Sequence, residues 1–165
     1  MTVGQLMTRP VRTCRPEDSL DAAARIMWEE DCGCVPVVQE SEAEQPRLVG
    51  ILTDRDVCMA AYTQGKPLTA IPVTSVMQRD LATCVATDPI GVALRVLCTR
   101  RLHRLPVVEN DSELVGVLSL ADIARESKRE ESEIDKPAVT TTSVGDTVAV
   151  ISEARGGSRE IATTA

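Results

Sequence analysis

The chain repeats itself once, and this self-similarity restricts its fold more tightly than any single motif does. Displaced by 70 positions, residues 3–38 fall on residues 73–108 without a gap. Eleven of these 36 positions are identical: Val3, Met7, Arg9, Thr13, Cys14, Asp18, Ala23, Arg25, Pro36, Val37 and Val38. After a loop four residues longer in the first copy, a displacement of 66 carries Leu48–Thr53 onto Leu114–Ser119, and Asp56 onto Asp122. Many substitutions between the copies are conservative, such as Leu20 for Ile90 and Val57 for Ile123, as a shared buried pattern requires. Two copies of one supersecondary unit follow.

Within each copy the apolar residues have helical spacing at Leu20, Ala23, Ala24 and Met27, and at Ile90, Ala93, Leu94 and Leu97. Asp18 and Asp88 stand where a helix N-cap belongs, and Pro89 suits a first helical position. Pro-Val-Val at 36–38 and 106–108 predicts a buried strand, and Leu-Val-Gly at 48–50 and 114–116 opens a second. The short polar segments between them, Gln39–Arg47 and Glu109–Glu113, read as hairpin connections. A second helix is expected from near Asp54 and near Leu120. These units divide the chain into a first domain at 1–62, a linker at 63–72, a second domain at 73–127 and a polar tail at 128–165. The tail reads either as poorly ordered or as a short docking segment.

Composition narrows the function. The formal charge is −7 and no basic run is long enough to neutralise a phosphate backbone, which argues against general nucleic-acid binding. No apolar run reaches membrane-spanning length and the first 16 residues do not resemble a signal peptide, so the expectation is a cytoplasmic protein that does not enter a membrane. Its six cysteines are then expected to be reduced thiols. With no Phe, one Trp and one Tyr, any ligand base must sit between aliphatic side chains.

Two segments carry chemistry, Thr53-Asp54-Arg55-Asp56 and Ser119-Leu120-Ala121-Asp122. A hydroxyl where a strand gives way to a helix can hydrogen-bond a phosphate, and a carboxylate one turn on can accept both hydroxyls of a ribose. The same residues also make ordinary sense as helix caps with acidic first turns, and the two roles are compatible.

A duplicated strand, helix, strand, strand, helix unit carrying Pro-Val-Val and then Gly-h-h-Thr/Ser-x-x-Asp resembles the CBS-domain family over about residues 3–126. The resemblance implies an α/β tandem CBS-domain pair, packed with pseudo-twofold symmetry, whose cleft binds AMP, ADP, ATP, S-adenosylmethionine or a similar adenosine compound. The ligand is then regulatory, with no resident cofactor and no catalysis. The segment Leu102–Val108 is similar to the regulatory γ subunit of AMP-activated protein kinase, in which the residues matching His103 and Arg104 face phosphates. Without that resemblance, His103 reads equally well as an interior residue and Arg104 as a surface charge. Carried over, one composite site combines Ser119, Asp122, His103 and Arg104 with Thr13, Asp18, Cys32 and Gly33. The other combines Thr53, Arg55 and Asp56 with Thr83, Asp88 and the backbone of Leu102 and His103. Gly33 and Cys34 replace the His-Arg pair in the first copy, so the first of these sites is expected to be the stronger.

The resemblance also implies a homodimer, with output passing to a partner protein or through assembly. Two other readings stay open: a ligand-free interaction scaffold, and a redox-responsive protein built on Cys32-Gly33-Cys34. The Cys-x-Cys spacing is not that of a Cys-x-x-Cys pair, and a single His leaves little for zinc binding or nucleophile activation.

Overall fold

The computed structural model describes residues 1–40, 46–110, 112–133 and 137–153. A short helix α1 (Val3–Leu6) precedes the first repeat's α2 (Leu20–Glu29), β1 (Cys34–Glu40), β2 (Pro46–Thr53) and α3 (Asp54–Gln64). The second repeat supplies α4 (Ile90–Arg100), β3 (Arg104–Glu109), β4 (Glu113–Ser119) and α5 (Leu120–Glu133), followed by α6 (Thr141–Ser152). Each repeat is a β-hairpin with its helices, and the hairpins join into one sheet of order β1-β2-β4-β3. The register shifts between Val37 and Val38 in one hairpin and between Val107 and Val108 in the other, so even the irregularity is duplicated. Of the expected connection Gln39–Arg47, residues 41–45 lie outside the described residues.

The leading strand expected in each copy is reduced to isolated bridges, at Cys14 to Val37 and at Cys84 to Val107. The helices begin one residue later than expected. Ser19, not Asp18, caps α2, and Pro89 is itself the cap residue of α4, not its first helical residue. The reason is local: Asp18 turns its carboxylate back onto the Arg15 N–H at 2.7 Å, and Asp88 does the same to Val85 at 3.0 Å. Each Asp therefore tightens the turn before its helix.

The two cores exchange their leading segments. Val3 and Met7 are buried with Cys84, Ile90, Leu97, Leu105 and Leu118 in the second repeat, while Ile71, Val73 and Met77 are buried with Cys14, Leu20, Val35 and Leu52 in the first. Backbone bonds hold the exchange: Val3 N–H to the Asp88 carbonyl at 2.9 Å, and Val73 N–H to that of Asp18 at 2.8 Å. The segment expected to be a linker is thus partly core, with Ile71 1% exposed. Gly50 and Gly116 admit the exchanged methionines, since a Cβ there would stand 2.6 Å from Met77 Sδ and 2.5 Å from Met7 Sδ.

Poor order, one of the two expectations for 128–165, does not describe residues 128–133 and 137–153. Helix α5 runs past the expected boundary to Glu133, and α6 packs against α4 and α5. Val139 and Val144 join the second core, Thr140 Oγ1 accepts the Ser143 N–H at 3.1 Å, and the Glu130 carboxylate accepts the Ala138 N–H at 2.7 Å. The rest of the expected tail, 154–165, lies outside the described residues.

Gly50→Ala is expected to destabilise the protein by about 1–3 kcal/mol through overpacking against Met77. In a Met77→Ala background the same change should cost clearly less, a coupling that denaturant unfolding of the two single variants and the double variant measures. Additive losses would show that the contact does not set the glycine.

Candidate ligand cleft

A cleft of about 350 Å³ opens between the repeats. Thr8, Pro10, Val11 and Arg12 line it from the leading segment, Glu30, Asp31, Cys32, Cys34 and Pro36 from the first repeat, and Arg104, Val117, Ser119, Asp122 and Arg125 from the second. Its composite character follows from the exchange. Thr8 is bridged to Val117 by 2.9 and 3.2 Å backbone bonds, which lay the segment 8–12 across the second hairpin before it enters the first repeat.

Ser119 and Asp122 form a reciprocal cap. Asp122 Oδ2 accepts the Ser119 N–H at 3.0 Å and the Ser119 hydroxyl at 2.5 Å, while Ser119 Oγ accepts the Asp122 N–H at 3.1 Å. The first repeat repeats this with Thr53 and Asp56 at 2.9, 2.7 and 3.3 Å. The capping role weighed from the sequence is therefore realised in both copies. It fixes each carboxylate at the strand-to-helix junction through Oδ2 and leaves Oδ1 for a second donor. That donor differs between the copies: Arg125 on Asp122, and the Gln78 amide, at 3.3 Å, on Asp56.

The residues expected to act together separate in part. Ser119, Asp122, Arg104 and Cys32 share the cleft, and Gly33 borders it, since a Cβ on Gly33 would stand 3.4 Å from the Arg104 guanidinium. Thr13 and Asp18 line a different groove with Arg15 and Glu40. His103 is exposed and outside the cleft lining; its carbonyl accepts the Leu120 N–H at 2.9 Å. In the second expected site, Thr53 and Asp56 are joined by the cap, Arg55 and Thr83 are exposed, Asp88 is held in its turn and Leu102 packs on the second core. Sequence reasoning missed Arg12 and Arg125. The repeat comparison carried the signal, because Ala82 and Met59 stand at their counterparts and mark these cations as specific to one cleft.

Three of the six thiols, Cys14, Cys34 and Cys84, are buried. Burial, aided by the Asp18 and Asp88 carboxylates, pushes Cys14 and Cys84 up to about 12. Burial also pushes Cys34 up to about 11 against the opposing pull of Arg104. Cys32 Sγ donates to the Cys34 carbonyl at 3.3 Å. These are properties of packed thiols rather than nucleophiles. Among the described residues no group of three or more His, Cys, Asp or Glu side chains is placed to hold a metal ion, and no helix is long and apolar enough to cross a membrane.

Fold and cleft together define a tandem-repeat module with a composite interdomain pocket. The family model for the CBS domain matches residues 3–62 and 73–129, and the chain belongs to that family. It is 32% identical over 131 residues to the CBS domain-containing protein YhcV of Bacillus subtilis, spanning 79% of this chain and 89% of that relative. It is 33% identical over 124 residues to a homoserine O-acetyltransferase of Methanococcoides burtonii, of which it spans only 24%. Among solved structures it is similar to the CBS domain pair of protein MJ0100 in complex with 5′-methylthioadenosine and S-adenosyl-L-methionine. That likeness has a TM-score of 0.66 at 25% identity and covers 76% of this chain and 98% of the other.

A buried thiol that stays neutral where the unfolded chain's thiol ionises stabilises the fold fully below about pH 9. That contribution disappears as pH rises through 11–12. Unfolding free energy should therefore fall between pH 8.5 and 10.5, and a Cys14→Ala/Cys84→Ala variant should lose less over that interval. Equal losses in the two proteins would contradict the assignment.

Proposed function

We propose that this CBS pair is a regulatory, non-catalytic module that takes an adenosine-containing ligand in the composite cleft. The observation that carries the reading is the meeting, on one cleft, of a fixed carboxylate with its capping hydroxyl (Asp122, Ser119) and the Arg104 guanidinium. A ribose diol needs an acceptor held at a junction, and a phosphate needs a planar donor near it. Among the described residues Arg104 makes no ion pair, which leaves its donors available. The base would lie against Pro10, Val11, Pro36 and Val117, an aliphatic slot in keeping with a chain so poor in aromatic residues. The likeness to a CBS pair that holds two adenosine compounds supports this reading.

Self-association would carry the signal onward. Helix α6 covers the helical face of the second repeat, burying Leu94, Ser127 and Glu130. At the counterpart positions of the first repeat, Ala24 and Ala61 are half-buried and Gln64 is exposed. Trp28, 88% exposed, stands on α2 one turn from Ala24. An uncovered helical face beside the chain's single Trp suits a contact between two copies, because aromatic anchors dominate interfaces.

In a melting-temperature panel, AMP, ADP or ATP should stabilise the protein, by about 2.7 kcal/mol when the ligand is at a hundred times its Kd. Asp122→Asn, which keeps a capping oxygen, should lose that stabilisation. Arg104→Ala should weaken AMP about tenfold or more, with little change for adenosine. A flat panel with every adenosine compound would leave the scaffold reading standing instead. Light scattering at micromolar concentration should show two chains, reverting to one in Trp28→Asp; a monomeric parent protein would contradict the proposed contact.

A further inference from the structure

We infer that Arg125 is a charge-exchange gate that makes the cleft selective for nucleoside phosphates over uncharged or cationic nucleosides. This rests on the functional reading above and assigns its ligand class.

Both oxygens of Asp122 are engaged within the protein: Oδ2 by the Ser119 cap and Oδ1 by the Arg125 guanidinium. A ribose diol donates two hydroxyls, and with three donors already on a carboxylate that has about four lone-pair sites, the second hydroxyl needs the place that Arg125 holds. The displaced guanidinium sits on a side chain that is 75% exposed, three residues along α5 from Asp122, on the lining of the same cleft as Arg104. It is free to turn toward a second anionic group.

A nucleoside breaks this ion pair and gives nothing back. A nucleoside phosphate breaks it and offers Arg125 a replacement beside Arg104. Binding thus exchanges one carboxylate partner for one phosphate partner. A ligand with a sulfonium charge in place of phosphate adds a cation beside the Arg104 and Arg125 guanidiniums and offers neither a new partner.

The other charges lining the cleft do not duplicate this device. Arg12 is tied to Glu30 at 3.5 Å within the first repeat, and Asp31 is exposed beside it. The first repeat's own capping carboxylate is also occupied, but by the neutral Gln78 amide, and Met59 stands where Arg125 stands in the second repeat. Displacing Gln78 frees no cation, so the gate belongs to the Asp122 cleft alone.

The test is Arg125→Met, which places in α5 the residue that α3 already carries at the matching position and so should fold. Calorimetric titrations with adenosine, AMP and ATP on the parent protein and the variant should cross. Adenosine should bind about two- to fivefold tighter, the range expected for removing a competing exposed ion pair. AMP and ATP should bind about tenfold weaker, with Arg125→Lys intermediate. If adenosine and AMP weaken together, or neither changes, Arg125 is not a gate. If the parent protein binds none of the three, the functional reading itself falls and the gate with it.

Discussion

The exchange of leading segments is the constraint on which the rest of the molecule depends. Neither repeat completes its own core: the second needs Val3 and Met7, and the first needs Ile71, Val73 and Met77. Burying two or three such side chains contributes several kcal/mol, at about 1.5–3 kcal/mol each, which is a large fraction of a small domain's stability. The repeats are therefore coupled through their cores as well as through the short β2–β4 junction, where Arg47 pairs with Glu113. The cleft is a by-product of this arrangement. The chain that leaves α1 crosses β4 at Thr8 and Val117 before turning into the first repeat, and the residues it carries across become one wall.

Within that cleft, the proposed ligand recognition draws on groups that also hold the fold. Asp122 holds the start of α5 with one oxygen and meets Arg125 with the other, so the carboxylate proposed to take the ribose is already fixed by its role in the helix. Fixing an acceptor by its structural role removes the entropy cost of ordering it at binding. The first repeat keeps the cap but carries Met59 and Cys34 where the second has Arg125 and Arg104.

Much of the fold could be read in the sequence because the repeat supplied two independent copies of every signal. The paired helices, both hairpins and the strand-to-helix junctions at Thr53 and Ser119 followed from spacing alone. The exchange of segments did not, because Val3 and Val73 look the same whichever core they fill. The helix caps were misplaced by one residue because an Asp that closes its own turn resembles an Asp that caps the next helix. Helix α6 was underweighted because its stripe of Val144, Thr147 and Ile151 is diluted by threonine and serine. Of the residues expected at the site, Ser119 and Asp122 came from the motif and Arg104 from the γ-subunit resemblance, and the structure brings the three onto one cleft. The same resemblance paired His103 with Arg104, yet His103 stands before β3, exposed and outside the cleft lining.

The central claim is that one adenosine nucleotide is held by both repeats at once. Mapping amide shift changes by heteronuclear NMR during an AMP titration tests it most directly. The account predicts saturable shifts in 8–12 and 30–34 of the first repeat together with Arg104 and 117–125 of the second. Shifts confined to one repeat, or centred on the groove of Thr13, Arg15 and Asp18, would contradict it.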